Sequence, residues 1–151
     1  MIAESAALKA LLLLYSRAQT VQIAESALAF ARFSIEERLA RWILMCHDRH
    51  GYDDIPLTHE LLSVMLGTRR AGVTTTLHIL EGAGMIRSTR GNITVRDRSK
   101  LSEAAGGSYG GSEAEYNRLF PFANECTARL IEHSERKGRT EQSRSLPPHD
   151  L

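Results

Sequence analysis

Apolar positions recur with a helical period through the first half of this chain and with a strand period later. From Glu4 to Phe33 there is no Gly or Pro, and Ala, Leu, Gln, Glu and Arg dominate. Leu11, Leu14, Ala18, Val21, Ala24, Leu28 and Ala31 follow one another at intervals of three and four. The pattern predicts one helix of about 30 residues and about 45 Å. So long an apolar stripe outgrows a small core, which points to a seam between two copies of the chain built on Leu11, Leu14, Ala18, Val21 and Leu28. Packing against its own domain is the alternative fate of such a helix.

Ser34 and Glu37 have the spacing of a capping box, so a second helix is expected to start there and to run through Leu39, Trp42, Ile43 and Met45 until Gly51 ends it. The long helix therefore breaks at Phe33. Asp53 to Leu57 reads as a short extended link. The Thr58 hydroxyl can cap a third helix carrying Leu61, Leu62, Met65 and Leu66, which Gly67 stops. A fourth helix is expected from Arg69 to about Glu81, with Val73, Leu77 and Leu80 turned inward. Arg70, Ala71, Thr74, Thr75 and His78 share its opposite face. Beyond the break at Gly82 and Gly84, Met85–Thr89 and Asn92–Arg96 read as two strands around a basic tip at Arg90 and Gly91. The fold class is thus mainly α with a small β-hairpin wing, a winged helix-turn-helix preceded by a long helix.

The chain divides on this reading into a dimerisation helix (1–33), a winged helix-turn-helix (34–101), a Gly-rich link with a C-terminal helix (102–133) and a tail (134–151). Ala105 to Ser112 reads AGGSYGGS; glycines at this density weaken a helix by about 1 kcal/mol each, so the link is expected to be flexible. The helix expected over Glu113–Glu132 is interrupted near Pro121. The polar tail from Ser134 to Leu151 is expected to be disordered.

Charge changes the picture through its distribution. The net charge is +1, yet residues 69–100 hold seven basic and two acidic groups, while 1–68 and 101–151 each hold six basic and eight acidic. A basic block of this kind attracts phosphates while the whole molecule stays near neutral. Cys46 and Cys126 lack any ligand or disulfide spacing, which fits a reducing, cytoplasmic setting. The longest apolar run, Ala10 to Tyr15, is far short of a membrane span. His47 and His50 could share a helix face, but no third ligand is evident, so no metal and no cofactor is expected. Cys46 sits on an apolar helix and reads as core. No Ser-His-Asp order, paired carboxylates or phosphate-binding loop supports catalysis, so no enzyme is expected.

The chemistry that remains is that of nucleic acid. Two helices joined by a tight turn suit the major groove of double-stranded DNA. Arg70 can contact guanine, Thr74 and Thr75 can touch thymine methyl groups or phosphates, and His78 lies one turn further along. Arg69 is placed for phosphate, as are Thr58 and His59 at a helix N-terminus. Arg87 and Arg90 extend the grip from the wing. Each Arg taken alone reads equally well as solvated surface.

The stretch PLTHELLSVMLGTRRAGVTTTLHILEGAGMIRSTRGNITVRDRSKL, Pro56 to Leu101, resembles the winged helix-turn-helix domain of the Crp/Fnr family of bacterial transcription regulators. SIEERLARWILMCHDR, Ser34 to Arg49, is similar to the helix that precedes it, and Glu4 to Phe33 to the end of that family's dimerisation helix. The resemblance implies a homodimeric regulator on a palindromic operator, with RNA polymerase as a further candidate partner. Arg70 matches the family's guanine-reading Arg. Ala71 stands where many members have an acidic residue and Thr75 where some have a second Arg, so the half-site is expected to differ from the cyclic-AMP type. Members carry an N-terminal β-roll sensor that nothing here builds. Ile23 and Ala24 replace the polar pair of cyclic-AMP-responsive relatives, so that ligand is not expected. The rival reading is a protein-interaction module that forms heterodimers with full-length regulators and blocks them.

Overall fold

A computed structural model describes residues 5–121. The order of elements is α1 (Ala6–Arg32), α2 (Ile35–His50), β1 (Asp54–Ile55), α3 (His59–Leu66), α4 (Arg70–Gly82), β2 (Ile86–Thr89), β3 (Asn92–Val95), α5 (Arg98–Ala105), a one-turn 3-10 helix (Gly106–Ser108) and α6 (Gly111–Leu119). By its contacts the chain falls into two units, Met1–Glu113 and Ala114–Leu151. In the described part of the second, Arg118 pairs with Glu115 at 2.7 Å and the rings of Tyr116 and Phe120 lie 5.0 Å apart.

The helix ends fall where the local chemistry put them. Ser5 caps α1 by accepting from the Leu8 N–H. The Ser34 hydroxyl accepts from the Glu37 N–H at 3.2 Å and the Glu37 carboxylate accepts from the Ser34 N–H at 2.7 Å, a complete capping box. The Ser34 bonds hold the Glu37 carboxyl below its ordinary range. Thr58 caps α3 through the Leu61 N–H, and Asp97 caps α5 through the Lys100 N–H.

Gly67 closes α3 in the left-handed region, at φ +59°. A Cβ there would meet Phe30 only at ordinary contact distance, 3.6 Å. Gly67→Ala is therefore expected to cost about 1 kcal/mol in urea unfolding, from the backbone alone. A loss well beyond that would mean that Phe30 is in the way after all.

The core forms around α2. Leu39, Ala40, Ile43 and Leu44 are fully buried and pack with Leu62 and Leu66 of α3, Val73, Leu77 and Leu80 of α4, Ile86 of β2, Ile93 and Val95 of β3, and Leu101 of α5. Val73, Leu77 and Leu80 thus face inward as expected; Leu61 instead points outward, 46% exposed. Cys46 packs half-buried against this core, and burial raises its thiol pKa.

Two expectations need correction. The wing is more than a hairpin: Asp54–Ile55, read as a link, pairs antiparallel with Thr94 and Ile93, giving a three-stranded sheet in the order β1-β3-β2. The pairing is formed across some forty residues and leaves no local signal. The Gly-rich segment, expected to be flexible, is also held in place. Ala105, Ser108 and Ser112 are buried, and Gly106 turns the chain at φ +55°. Beside it the Tyr109 hydroxyl donates to Asp48 and accepts from Arg98 at 2.9 Å. Burial, then the bond to Asp48, pushes this hydroxyl up to about 12, so it remains a donor at neutral pH. The rest of the helix expected to Glu132, Cys126 and the tail from Ser134 lie outside the described residues.

Candidate nucleic-acid interface

The turn Gly67-Thr68-Arg69 sets α4 against α3, and the burial of Val73, Leu77 and Leu80 then fixes its outward face. Arg70, at the first turn, is exposed, as are Ala71, Thr75 and His78; Thr74 is half-buried. Arg69 precedes the helix without a side-chain cap bond. The Thr75 hydroxyl donates back to the Ala71 carbonyl at 3.1 Å. His78 lies 3.8 Å from the Glu81 carboxylate.

The wing supplies a second row of cations. Arg87 and Arg90 are exposed on and beyond β2, and Gly91, at φ +81°, lets the strand reverse directly after Arg90. Neither these two nor Arg69 and Arg70 make a side-chain hydrogen bond or ion pair with the described residues. Four guanidinium groups without an internal anion are the form a phosphate-binding surface takes before its ligand arrives.

Thr58 spends its hydroxyl oxygen on the α3 cap, as expected, and stays exposed. His59, expected to hold a phosphate beside Thr58, is less open. Its ring is half-buried, with Nδ1 3.0 Å from the Thr74 hydroxyl and Nε2 3.5 Å from the Ser88 hydroxyl. The backbone direction at the start of α3 turns it towards α4 and the wing.

The expected seam on α1 divides in two. Leu11, Leu14 and Leu28 are exposed, at 51%, 39% and 48%, whereas Ala18 is 5% exposed and Val21 half-buried. Leu8, Leu12, Leu13 and Tyr15 add to the exposed apolar surface of the first half of the helix.

What holds α1 to the reading head was not foreseen. Arg41 of α2 is 1% exposed. Its guanidinium donates to the Ser108 carbonyl and to the Ser26 hydroxyl at 3.3 Å, and lies 3.8 Å from the Glu25 carboxylate. Glu25 in turn accepts the Ser112 N–H at 2.8 Å, approaching so closely that a Cβ at Gly111 would push its carboxylate aside. Arg49 reaches Gln22 at 2.7 Å, and Arg38 stacks over Phe30 at 4.9 Å. An Arg inside an amphipathic helix reads as solvated in sequence; the one available signal was its position between the core residues Ala40 and Ile43.

His47 and His50 do not converge on a metal site. His47 bonds Asp53 at 3.0 Å and faces Arg98 at 3.3 Å, while His50 meets the edge of Tyr52. Among the described residues no group of three His, Cys, Asp or Glu side chains is placed to hold a metal, and no helix is long and apolar enough to cross a membrane.

Residues 37–104 match the family model of the Crp-like helix-turn-helix domain. A protein of Eubacterium rectale described as a transcriptional regulator of the Crp/Fnr family is 21% identical, with a TM-score of 0.55, over 69% of this chain and 48% of its own. A Crp-family transcriptional regulator of Thermus thermophilus is 20% identical, with a TM-score of 0.54, over 59% and 49%. A Crp/Fnr-family regulator of the same organism is 25% identical, with a TM-score of 0.53, over 60% and 50%. The chain spans about half the length of each of these structures. No curated protein matches it. The domain match over α2 to α5 and the fold shared with these structures lead to one identification: residues 37–104 form a Crp-like helix-turn-helix domain.

Proposed function

We propose that the protein is a sequence-specific transcription regulator that binds a palindromic operator as a homodimer, with α4 of each copy in the major groove. The observation that carries this reading is the exposed face of α4, where Arg70, Ala71, Thr75 and His78 lie open beside Arg69, Arg87 and Arg90, which make no ion pair with the described residues. Arg70 reads a guanine through two parallel N–H donors; Ala71 and the Thr75 methyl favour thymine methyl groups. Arg69, Arg87, Arg90 and the α3 terminus at Thr58 hold phosphates and set the register. The two copies pair through Leu11, Leu14 and Leu28 of α1 and read half-sites about 10 bp apart. RNA polymerase is the further partner that the family resemblance implies.

The test is selection of sites from random duplex DNA at about 150 mM salt, which screens non-specific phosphate binding, followed by titration on the enriched sequence. A palindrome is the expected result. Arg70→Ala is then expected to cost about 1–3 kcal/mol of binding and to relax preference at one base pair. Arg87→Ala and Arg90→Ala should instead weaken all sequences alike and flatten the salt slope by about 1 each. An Arg70→Ala protein with unaltered site preference would overturn the assignment.

The exposed apolar first half of α1 favours one second reading: a module that captures full-length regulators as heterodimers. Its mark is DNA binding that stays non-specific, with dissociation constants on the order of 10⁻⁴–10⁻⁶ M.

A further inference from the structure

His59 connects three elements through a chain of bonds whose directions can be worked out. The Thr74 hydroxyl lies 3.1 Å from the Arg70 carbonyl, four residues back on α4, and 3.0 Å from His59 Nδ1. A carbonyl only accepts and a hydroxyl has a single proton, so a Thr74 that donates to Arg70 accepts from the ring. With that direction the proton of the His59 ring sits on Nδ1. In the neutral ring Nε2 is then a bare acceptor, and the Ser88 hydroxyl, 3.5 Å away, is its donor. The relay runs from Ser88 of β2 through His59 of α3 and Thr74 of α4 to the carbonyl of Arg70. Ser88 is also held at the other end of α4, where its N–H donates to Glu81 at 3.0 Å.

We propose that His59 is a positioning residue of the DNA interface: it fixes the wing against α4 and commits the Thr74 hydroxyl proton, so that Thr74 offers DNA a methyl group and no hydrogen-bond donor. This deepens the DNA-binding reading and rests on it for its consequence, though not for its geometry. Thr74 on this account distinguishes bases through a thymine methyl, and the hydrogen-bonded readout of α4 falls to Arg70 and His78.

Two measurements test it separately. In the free protein, nitrogen-15 spectra of the imidazole are expected to show His59 with its proton on Nδ1; the Nε2–H tautomer would overturn the relay. In site selection, Thr74→Ser, which keeps the hydroxyl and removes the methyl group, is expected to lose the preference for thymine at one base pair. An unaltered preference would overturn the methyl readout. His59→Leu is expected to bind the enriched site about tenfold more weakly, with His59→Asn, whose amide can donate from near the Nδ1 position, restoring most of the loss. Equal losses in both variants would reduce His59 to packing. If the parent enriches no sequence, it is the DNA-binding reading that fails, and the tautomer still decides the relay.

Discussion

Arg41→Met is expected to lower the stability of the protein by about 3 kcal/mol, as the loss of one member of a buried charged network does. At this chain length that corresponds to a fall of roughly 10 °C in the unfolding midpoint, read by circular dichroism. The thioether fills most of the guanidinium's space but donates nothing. The Ser108 carbonyl and the Ser26 hydroxyl lose their donor inside the protein, where water does not replace it. Glu25 is less affected, because its side chain is 30% exposed and retains the Ser112 N–H. Glu25→Gln should accordingly cost far less than the Arg41 substitution. Arg41→Lys is expected to recover only a minor part, since one ammonium cannot span a carbonyl, a hydroxyl and a carboxylate as a planar fork does. An Arg41→Met protein as stable as the parent would show that the network contributes nothing net.

The second large effect concerns assembly. Replacing Leu11 and Leu14 together by Glu is expected to convert a dimer into a monomer by light scattering, and to weaken operator binding by about 10²–10⁴-fold, the gain that linking two reading heads supplies. These two positions are chosen because they are exposed in the single chain, at 51% and 39%, so that their exchange leaves the protomer's own packing intact. Val21 is half-buried and Ala18 buried, and charge there would confound assembly with folding. An unchanged mass would remove the seam from α1. A monomer that keeps full operator affinity would remove the palindromic reading instead.

The parts of this fold that could be read from the sequence are those set by neighbours in the chain. Ser34 with Glu37, Thr58, Gly51 and Gly67 each act within a turn of their own position, and each sits where its chemistry requires. The inward face of α4 was legible for the same reason, through a repeat of three and four. What escaped depends on distant partners. β1 is two residues long and exists because β3 lies beside it. Ser108 and Ser112 are ordered by Arg41 and Glu25, which are 67 and 87 positions away. At the interface the arginines are exposed, as charged side chains usually are, but His59 turns inward for a reason lodged in Thr74 and Ser88, on two other elements.

The polar joint between α1 and the reading head has a mechanical consequence. With 27 residues, α1 is a lever about 40 Å long. A pivot of roughly 5° at its base carries the far end through about 3.5 Å, close to the rise of one base pair. Hydrophobic contacts alone slide at little cost, whereas a guanidinium clamped by a carbonyl, a hydroxyl and a carboxylate resists rotation in every direction. In a pair joined through α1, the three partners of Arg41 therefore act as the gauge of the molecule, holding two half-sites to a single permitted spacing.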